Sequence, residues 1–343
     1  MSEQDQLQLP PVILGTSGLG NLYIALPYEV KLDIVRQFVL HSAKPAVLDS
    51  AGKYGAGLAL ESIGQCLKDL NVNPDDIIIS NKLGWLRTPL TTPEPTFEPG
   101  VWVDLEYDAV QNISYKGILE CYNQGNELLG NYEAQFVSVH DPDEYLSAAT
   151  NGEDKTKRYQ DILDAYRALL ELKAEGKVKS VGVGAKDWHS IKQITNDVKL
   201  DWVMIANSMT VHSHPEDLLV FMQELEQKGV LIINSAVFNG GFLTGGDYYN
   251  YHLIDKESTE GTALYNWRDR FYELCKKHSI EPAAACVQFG LAAPGVKSVA
   301  LSTSSAKRVE SNLQLSKTSV PAEFWDIMHG EGLITDEGLS LVK

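Results

Sequence analysis

The stretch AVLDSAGKYGAG (46–57) joins an apolar run to a polar turn, and its pattern recurs along the chain. The run ends on Asp49, and a short flexible turn leads to Tyr54, which follows Lys53 and precedes a glycine. Taken alone, such an aspartate often caps a helix and such a tyrosine often packs in a core. Eight apolar runs of this kind are bounded by turn residues: VILGTSG (12–18), AVLD (46–49), IIISNK (77–82), AQFVSVH (134–140), VKSVGVG (178–184), DWVMIA (201–206), VLIINSA (230–236) and VKSVALS (296–302).

Helical patterns separate these runs. The predicted helices are 28–42, 57–70, 112–130, 157–176, 187–197, 215–228, 262–278 and 305–315. Strands that are apolar on both faces and alternate with helices predict a parallel sheet closed as a (β/α)8 TIM barrel, with residues 1–343 forming a single domain. A doubly wound open sheet is the alternative, but GTSGLGN (15–21) lacks the GxGxxG spacing of a dinucleotide-binding turn.

The composition indicates an ordinary globular protein of 343 residues with a formal charge of −17. Such a charge repels phosphate backbones and anionic lipid, so we expect neither nucleic-acid nor membrane binding. The N-terminal segment MSEQDQLQLPP has no signal-peptide pattern, and the four cysteines lack CxxC spacing. We therefore expect a cytoplasmic protein with free thiols, a small-molecule substrate, and either a monomer or a homo-oligomer.

Polar residues end three consecutive runs. Asp49, Lys82 and His140 end the second, third and fourth runs, and Tyr54 follows Asp49 after a short turn. Because active sites of (β/α)8 barrels lie at the carboxyl ends of the strands, these four side chains are expected to meet at one mouth.

These residue types suit proton transfer. A tyrosine pKa near 10 is too high for efficient proton exchange at neutral pH, and a nearby lysine is expected to lower it. Asp49 would hold Lys82 in place, and His140 would orient a substrate oxygen. An acid/base tyrosine beside an orienting histidine suits proton transfer coupled to hydride transfer, for which a nicotinamide is required.

Several segments resemble the aldo-keto reductases, over nearly the whole chain. The segments LDSAGKYG, SNKLG and FVSVHDPD look like that family's catalytic tetrad, which would make Tyr54, Lys82, Asp49 and His140 catalytic. The segments KVKSVGVGAKDW (177–188), GVLIINSAVFNGGFLTGG (229–246) and ALSTSSAKRVESNLQ (300–314) correspond in order to its cofactor-binding strand ends.

The resemblance also implies an activity. The stretch FNGGFLTGG and the tail PAEFWDIMHGEGLI (321–334) look like the bacterial and plant sugar dehydrogenases of the family, which act on D-threo-aldoses, L-fucose or L-galactose. They imply NAD(P)-dependent oxidation of the anomeric carbon of an aldose such as L-fucose, L-galactose or D-arabinose to the lactone. Reduction of small aldehydes or ketones and a nicotinamide-sensing regulatory subunit are the alternatives.

The resemblance assigns cofactor contacts with two departures. Gly184-Ala185-Lys186 replaces the Ser-Asn that many members use for the nicotinamide carboxamide, and the sixth-strand glutamine is missing. Ser304 stands where an arginine or lysine would bind the 2′-phosphate of NADP, which favours NAD. The implied cofactor-binding residues are Gly184, Lys186, Asn207, Ser235, Val237, Phe238, Asn239, Gly241, Leu243, Ser302, Ser304, Arg308 and Asn312.

Substrate contacts are expected from a long irregular segment, 85–111, and from the C-terminal tail, 316–343. Trp85, Trp102, Phe238 and His140 are the candidate substrate residues, because an aromatic face suits the apolar side of a sugar ring. HDPD (140–143) also fits metal ligands, but the other strand ends supply no partners, so no metal is predicted. A glycoside hydrolase would need facing carboxylates at strand ends, where this chain has Asn234-Ser235 and His140.

Overall fold

The computed structural model describes residues 9–343, so residues 1–8 of the segment predicted to lack a signal peptide lie outside the described range. Each apolar run becomes a strand. In chain order the strands are β1 Val12–Gly15, β2 Ala46–Ala51, β3 Ile77–Leu83, β4 Trp85–Pro89, β5 Tyr107–Gln111, β6 Phe136–His140, β7 Ser180–Ala185, β8 Trp202–Ala206, β9 Leu231–Ser235, β10 Tyr248–Tyr249, β11 His252–Leu253 and β12 Val296–Ser302.

Eight of these strands close a parallel barrel in the order β1, β2, β3, β6, β7, β8, β9 and β12, with β12 pairing back onto β1. The predicted (β/α)8 barrel is confirmed, and the open doubly wound sheet is wrong. Register places Asp49 beside Ser80 and His140 beside Gly184, so the carboxyl ends of the strands share one rim.

Helices surround the barrel. They are α1 Tyr28–His41, α2 Leu58–Asp69, α3 Tyr115–Leu129, α4 Pro142–Ser147, α5 Gly152–Ala174, α6 Trp188–Asp197, α7 Glu216–Gln227, α8 Thr259–Lys277, α9 Pro282–Ala292, α10 Val309–Leu315, α11 Ala322–Gly330 and α12 Asp336–Leu341. The side chains of Ser114, Asn151, Asp187 and Ser258 cap α3, α5, α6 and α8 by accepting backbone N–H groups. Caps of this kind stabilise a helix by about 1 kcal/mol each.

The core has two layers. Large side chains fill the barrel interior, where Phe136, Trp202 and Met204 pack together. Gly182 makes room for the largest of them, because a Cβ there would lie 2.3 Å from the Trp202 ring. A continuous apolar layer between strands and helices forms the outer core, which includes the four free and buried cysteines.

Three parts of the structure differ from the sequence expectations. Segment 85–111 is not wholly irregular, because β4 and β5 pair as an antiparallel hairpin whose crest is residues 90–106. Helix α9 lies outside the eight predicted helices, and its sequence PAAACVQFGLA is apolar on nearly every side. The tail forms α11 and α12. No helix within residues 9–343 is long and apolar enough to cross a bilayer.

Candidate active site

Asp49 and Lys82 form a buried ion pair at the rim. The Nζ atom of Lys82 donates to Asp49 Oδ2 at 2.5 Å and to the carbonyl of Ser50 at 3.1 Å. Ser80 donates to the other carboxylate oxygen of Asp49 at 3.1 Å. Asp49 therefore does not cap a helix, and the residue before α2 is Gly57.

Gly184 makes room for this lysine. It faces Lys82 across the rim, and a Cβ at this position would lie 2.9 Å from Lys82 Cδ. Gly184 was predicted to bind the cofactor. In the structure its missing side chain leaves the space that Lys82 needs to reach Asp49.

Tyr54 and His140 complete the group of four. Lys82 Nζ lies 4.7 Å from the centre of the Tyr54 ring, and the Tyr54 and His140 rings meet edge to face at 5.7 Å. The turn that carries Tyr54 packs closely against the loop that contains Gly20. A Cβ on Gly20 would lie only 2.8 Å from the Tyr54 backbone, so the close packing requires glycine there. The structure thus brings the four predicted catalytic side chains together.

Electrostatics at the site reverse one expectation. Burial and then Asp49 raise the pKa of Tyr54 well above 10, although a lowered value was expected. Burial is the main cause, and the Asp49 carboxylate adds to it while offsetting the charge of Lys82, against which it lies. Burial and then the charges of Lys82 and Lys53 hold the pKa of His140 well below 6.5, so its imidazole is neutral. Its buried Nδ1 has no protein partner.

Aromatic side chains from the hairpin cover Tyr54. The ring of Trp102 lies 5.8 Å from the Tyr54 ring, and Phe97 lies 6.4 Å from Trp102 and 5.7 Å from Trp85. The Nε1 atom of Trp85 is buried without a protein acceptor. Two of the predicted substrate residues therefore form one wall over the phenol. Phe238 lies elsewhere, next to the core cluster of Val12, Val237 and their neighbours.

A second charged cluster, which sequence reasoning missed, lies beside this group. Lys53 is 2% exposed, and its Nζ lies 2.8 Å from Glu98, 3.0 Å from Asp141 and 2.7 Å from Glu144. Lys186 joins it through Glu144 at 2.5 Å. A lysine in a polar turn usually lies in solvent, so the only signal was its position next to Tyr54.

Two further tyrosines near the mouth come from different segments, Tyr251 from the turn between β10 and β11 and Tyr23 from the loop between β1 and α1. Tyr251 lies between β10 and β11 with a φ of 72°, and Lys186 Nζ is 5.8 Å from its ring. Tyr23 has a φ of 62°, stacks on Tyr248 at 4.5 Å and has a buried hydroxyl without a partner. Left-handed backbone in such residues is strained and is concentrated at functional sites.

The predicted cofactor residues divide into groups by burial. Asn207 is buried at the end of β8, and its Oδ1 has no protein donor, which fits an amide N–H of a bound nicotinamide. Val237 and Leu243 are buried in the core, so only their backbone atoms can face a cofactor. Asn239 uses its Nδ2 to hold the carbonyl of Asn207 and the side chain of Asn250. Lys186 is paired with Glu144, as described above.

The loop after β12 remains accessible. Ser302 is exposed and its hydroxyl lies 3.1 Å from that of Ser17, while Ser304 and Arg308 are exposed and Asn312 is half-buried. Gly241 has a φ of 98° and open space at its Cβ position, and Ser235 contacts the Ile205 carbonyl. These positions are compatible with a dinucleotide across the rim.

The described part of the chain contains no cluster of side chains that could bind a metal ion. No set of three or more His, Cys, Asp or Glu side chains within residues 9–343 is arranged to hold a metal ion. Asp141 and Glu144 point instead to Lys53 and Lys186. The carboxylates near the mouth are thus held by lysines.

The closed (β/α)8 barrel brings a tyrosine, a lysine, an aspartate and a histidine together at one rim, and such groups can donate, accept and orient protons. A model of the aldo/keto reductase family matches residues 11–330, and the chain belongs to this family.

Curated relatives cover nearly the whole chain. It is 26% identical over 337 residues to pyridoxal 4-dehydrogenase of Microbacterium luteolum, covering 94% of each chain. It is 25% identical over 335 residues to D-threo-aldose 1-dehydrogenase of a Pseudomonas species, covering 93% of each.

Solved structures share the fold. An aldo-keto reductase of Bacillus halodurans in its holo form has a TM-score of 0.65 at 19% identity, with 97% of this chain and 98% of that one covered. The glycerol dehydrogenase of Gluconobacter oxydans has a TM-score of 0.66 at 15% identity, with 96% and 95% covered.

Proposed function

We propose that the protein is an NAD(P)-dependent aldose 1-dehydrogenase, which oxidises the anomeric carbon of an aldose to the lactone. The observation that carries this proposal is the contact of Tyr54 with His140 and with Lys82, which is paired with Asp49, beneath the aromatic wall. When bound, a nicotinamide dinucleotide supplies the hydride acceptor.

The side chains divide the chemistry among them. Tyr54 takes the proton of the C1 hydroxyl as hydride leaves C1 and the C1–O bond becomes a carbonyl. Neutral His140 donates a hydrogen bond to a substrate oxygen and fixes C1 over the phenol. Lys82 is held by Asp49 and packs against the Tyr54 ring, which keeps the ring in position.

The wall fits a polyol. Trp85 and Trp102 offer flat faces to the apolar side of a sugar ring, and the free Trp85 Nε1 is a donor for a hydroxyl. The molecule's charge of −17 disfavours phosphorylated sugars relative to neutral ones.

A second substrate belongs to the same chemical class. Pyridoxal, named in one relative, carries an aldehyde and a neighbouring hydroxymethyl group that close to a cyclic hemiacetal, as an aldose does. Oxidation at the hemiacetal carbon removes the same two hydrogens, and a planar ring would stack on the wall formed by Trp85 and Trp102.

The cofactor proposal favours NAD. Ser304 is exposed and offers no positive charge, while Lys307 and Arg308 lie on the exposed face just beyond it. A 2′-phosphate would gain most from an arginine or lysine at the loop itself.

A substrate panel tests the proposal. The protein is mixed with NAD⁺ or NADP⁺ and with L-fucose, L-galactose, D-arabinose or pyridoxal, and in a parallel arm with NADH or NADPH and simple aldehydes, and the absorbance of the reduced cofactor is followed. Turnover of an aldose with a lactone product supports the proposal, and turnover of pyridoxal alone selects the second substrate. Reduction of simple aldehydes without oxidation of any hemiacetal, or cofactor binding without any turnover, contradicts it.

A further inference from the structure

Lys53 is the most heavily paired buried charge at the mouth. Its ammonium contacts three carboxylates from two separate parts of the chain: Glu98 of the crest, and Asp141 and Glu144 at the start of α4. Burial lowers the pKa of Lys53, but the three carboxylates outweigh burial and raise it. A buried lysine persists only when such partners surround it, so the cluster is a built feature of the fold.

One partner leads to the substrate wall. Glu98 also accepts a hydrogen bond from Trp102 Nε1 at 2.7 Å, and its backbone has a left-handed φ of 44°. Backbone contacts hold the same part of the crest, because Tyr23 N–H donates to the Val101 carbonyl at 2.9 Å. Glu98 thus connects Lys53 to the aromatic ring that covers Tyr54.

The second partner leads to the histidine. Asp141 follows His140 directly and has a left-handed φ of 47°. Its Oδ2 accepts a hydrogen bond from Lys53 Nζ. The same oxygen lies 3.7 Å from His140 Nε2. The ammonium therefore competes with the imidazole for this carboxylate.

We propose that Lys53 is a positioning residue, which holds the crest over Tyr54 through Glu98 and keeps Asp141 from pairing with His140. One cation would then fix both the substrate wall and the orienting histidine. The inference rests on the proposed roles of Tyr54 and His140, but it is tested below without turnover.

His140 is surrounded by charged and titratable groups from every neighbouring element. They are Lys82 of β3, Lys53 and Tyr54 of the turn after β2, Asp141 and Glu144 beyond β6, and Lys186 after β7. Replacing Lys53 by methionine removes one cation and leaves Asp141 with the weaker contact to Lys186 at 3.7 Å, and both changes favour the imidazolium. The arginine variant retains the cation.

The first measurement is an NMR titration of the histidine Cε1–H signals of the full chain, with the His140 signal assigned by its absence in His140→Asn. We expect Lys53→Met to raise the His140 pKa by at least about one unit and Lys53→Arg to leave it near wild type. Lys173→Met is the control, because it breaks a distant pair with Asp201. A His140 titration unchanged in Lys53→Met overturns the proposal.

The second measurement is chymotrypsin cleavage within residues 90–106. Lys53→Met should be cut at least about tenfold faster than wild type or Lys173→Met, because the crest loses its buried anchor. If Lys53→Met does not fold, Glu98→Gln serves instead, since it retains an acceptor for Trp102 while losing the charge that faces Lys53. Wild-type cleavage in Glu98→Gln overturns the proposal. Neither measurement needs a substrate, so a failed substrate panel leaves both results interpretable.

Discussion

For single residues, burial and the Asp49 carboxylate together determine the state of Tyr54. Lys82 alone would favour a phenolate, but the carboxylate at 2.5 Å offsets its charge, and burial disfavours the phenolate further. Tyr54 is therefore a protonated phenol at neutral pH, and in the proposed function it acts as an acid in reduction and must lose its proton to act as a base in oxidation.

The pH dependence of oxidation follows from this state. Because the pKa of Tyr54 is raised above 10, the fraction of phenolate increases about tenfold per pH unit below that pKa. We expect kcat/KM for oxidation to rise from pH 7 to pH 10 without a plateau, as measured in one buffer series with the preferred substrate. A plateau beginning below pH 8 would show that Tyr54 is acidic and contradict the electrostatics described here.

Asp49→Asn tests the offset directly. It removes the carboxylate that raises the pKa of Tyr54 and leaves the charge of Lys82 uncompensated, so the ascending limb of the oxidation profile should move to lower pH by at least about one unit. Ser80→Ala is the matched control, because it removes only one hydrogen bond to Asp49. An unshifted limb in Asp49→Asn, with the fold intact, would argue against this role.

At the scale of elements, the eight barrel strands were predictable because each is a short apolar run between turn signals. The two strands of the hairpin, β4 (WLRTP) and β5 (YDAVQ), were not predictable, because they are half-exposed and pair only with each other. The four catalytic candidates were predictable from strand ends. Lys53 and Glu98 were not, because their pairing depends on how the crest folds back.

Trp102 tests the hairpin as a substrate wall. Trp102→Ala removes the ring that covers Tyr54, so KM should rise at least about tenfold while the cofactor Kd stays within about twofold of wild type. Trp102→Phe keeps an aromatic face and should raise KM less. Steady-state kinetics with cofactor titration by fluorescence provide both values, and an unchanged KM in Trp102→Ala would place the substrate elsewhere.

The tail packs away from the candidate catalytic residues. Thr335 N–H donates to His214 Nε2 at 3.1 Å, and Trp267 of α8 donates to the carbonyl of Leu333 at 3.3 Å. Within the described residues, the hydrogen bonds of α11 and α12 do not extend to Tyr54 or Trp85. A direct role of the tail in sugar recognition stays a prediction.

At the scale of the whole molecule, buried histidines couple stability to pH. Burial lowers the pKa of His140, of His214 and of His212, the last to about 4, so their imidazoles take up protons on unfolding as pH falls below about 6.5. Burial raises the pKa of Asp143 to about 6, so it releases one. These histidines contribute stability that is present above about pH 6.5 and lost as pH falls towards their folded pKa values.

Three histidines that take up protons against one aspartate that releases one predict a slope in this pH range. The free energy of unfolding should fall between pH 6 and pH 4.5 by about 1.4 kcal/mol per pH unit for each net proton taken up. Urea titrations at a series of pH values give this slope, and His212→Asn should make it shallower by about a third to a half. A stability that is flat across this interval would mean that these histidines are charged in the folded protein.

The proposed dehydrogenase depends above all on proton transfer by Tyr54, and Tyr54→Phe removes the hydroxyl that would transfer it. Turnover of the best substrate from the panel should fall at least about a hundredfold, while the dissociation constant of the cofactor stays within about twofold of wild type, because only the hydroxyl is removed. Turnover at the wild-type rate in a folded variant that binds the cofactor would contradict proton transfer by Tyr54.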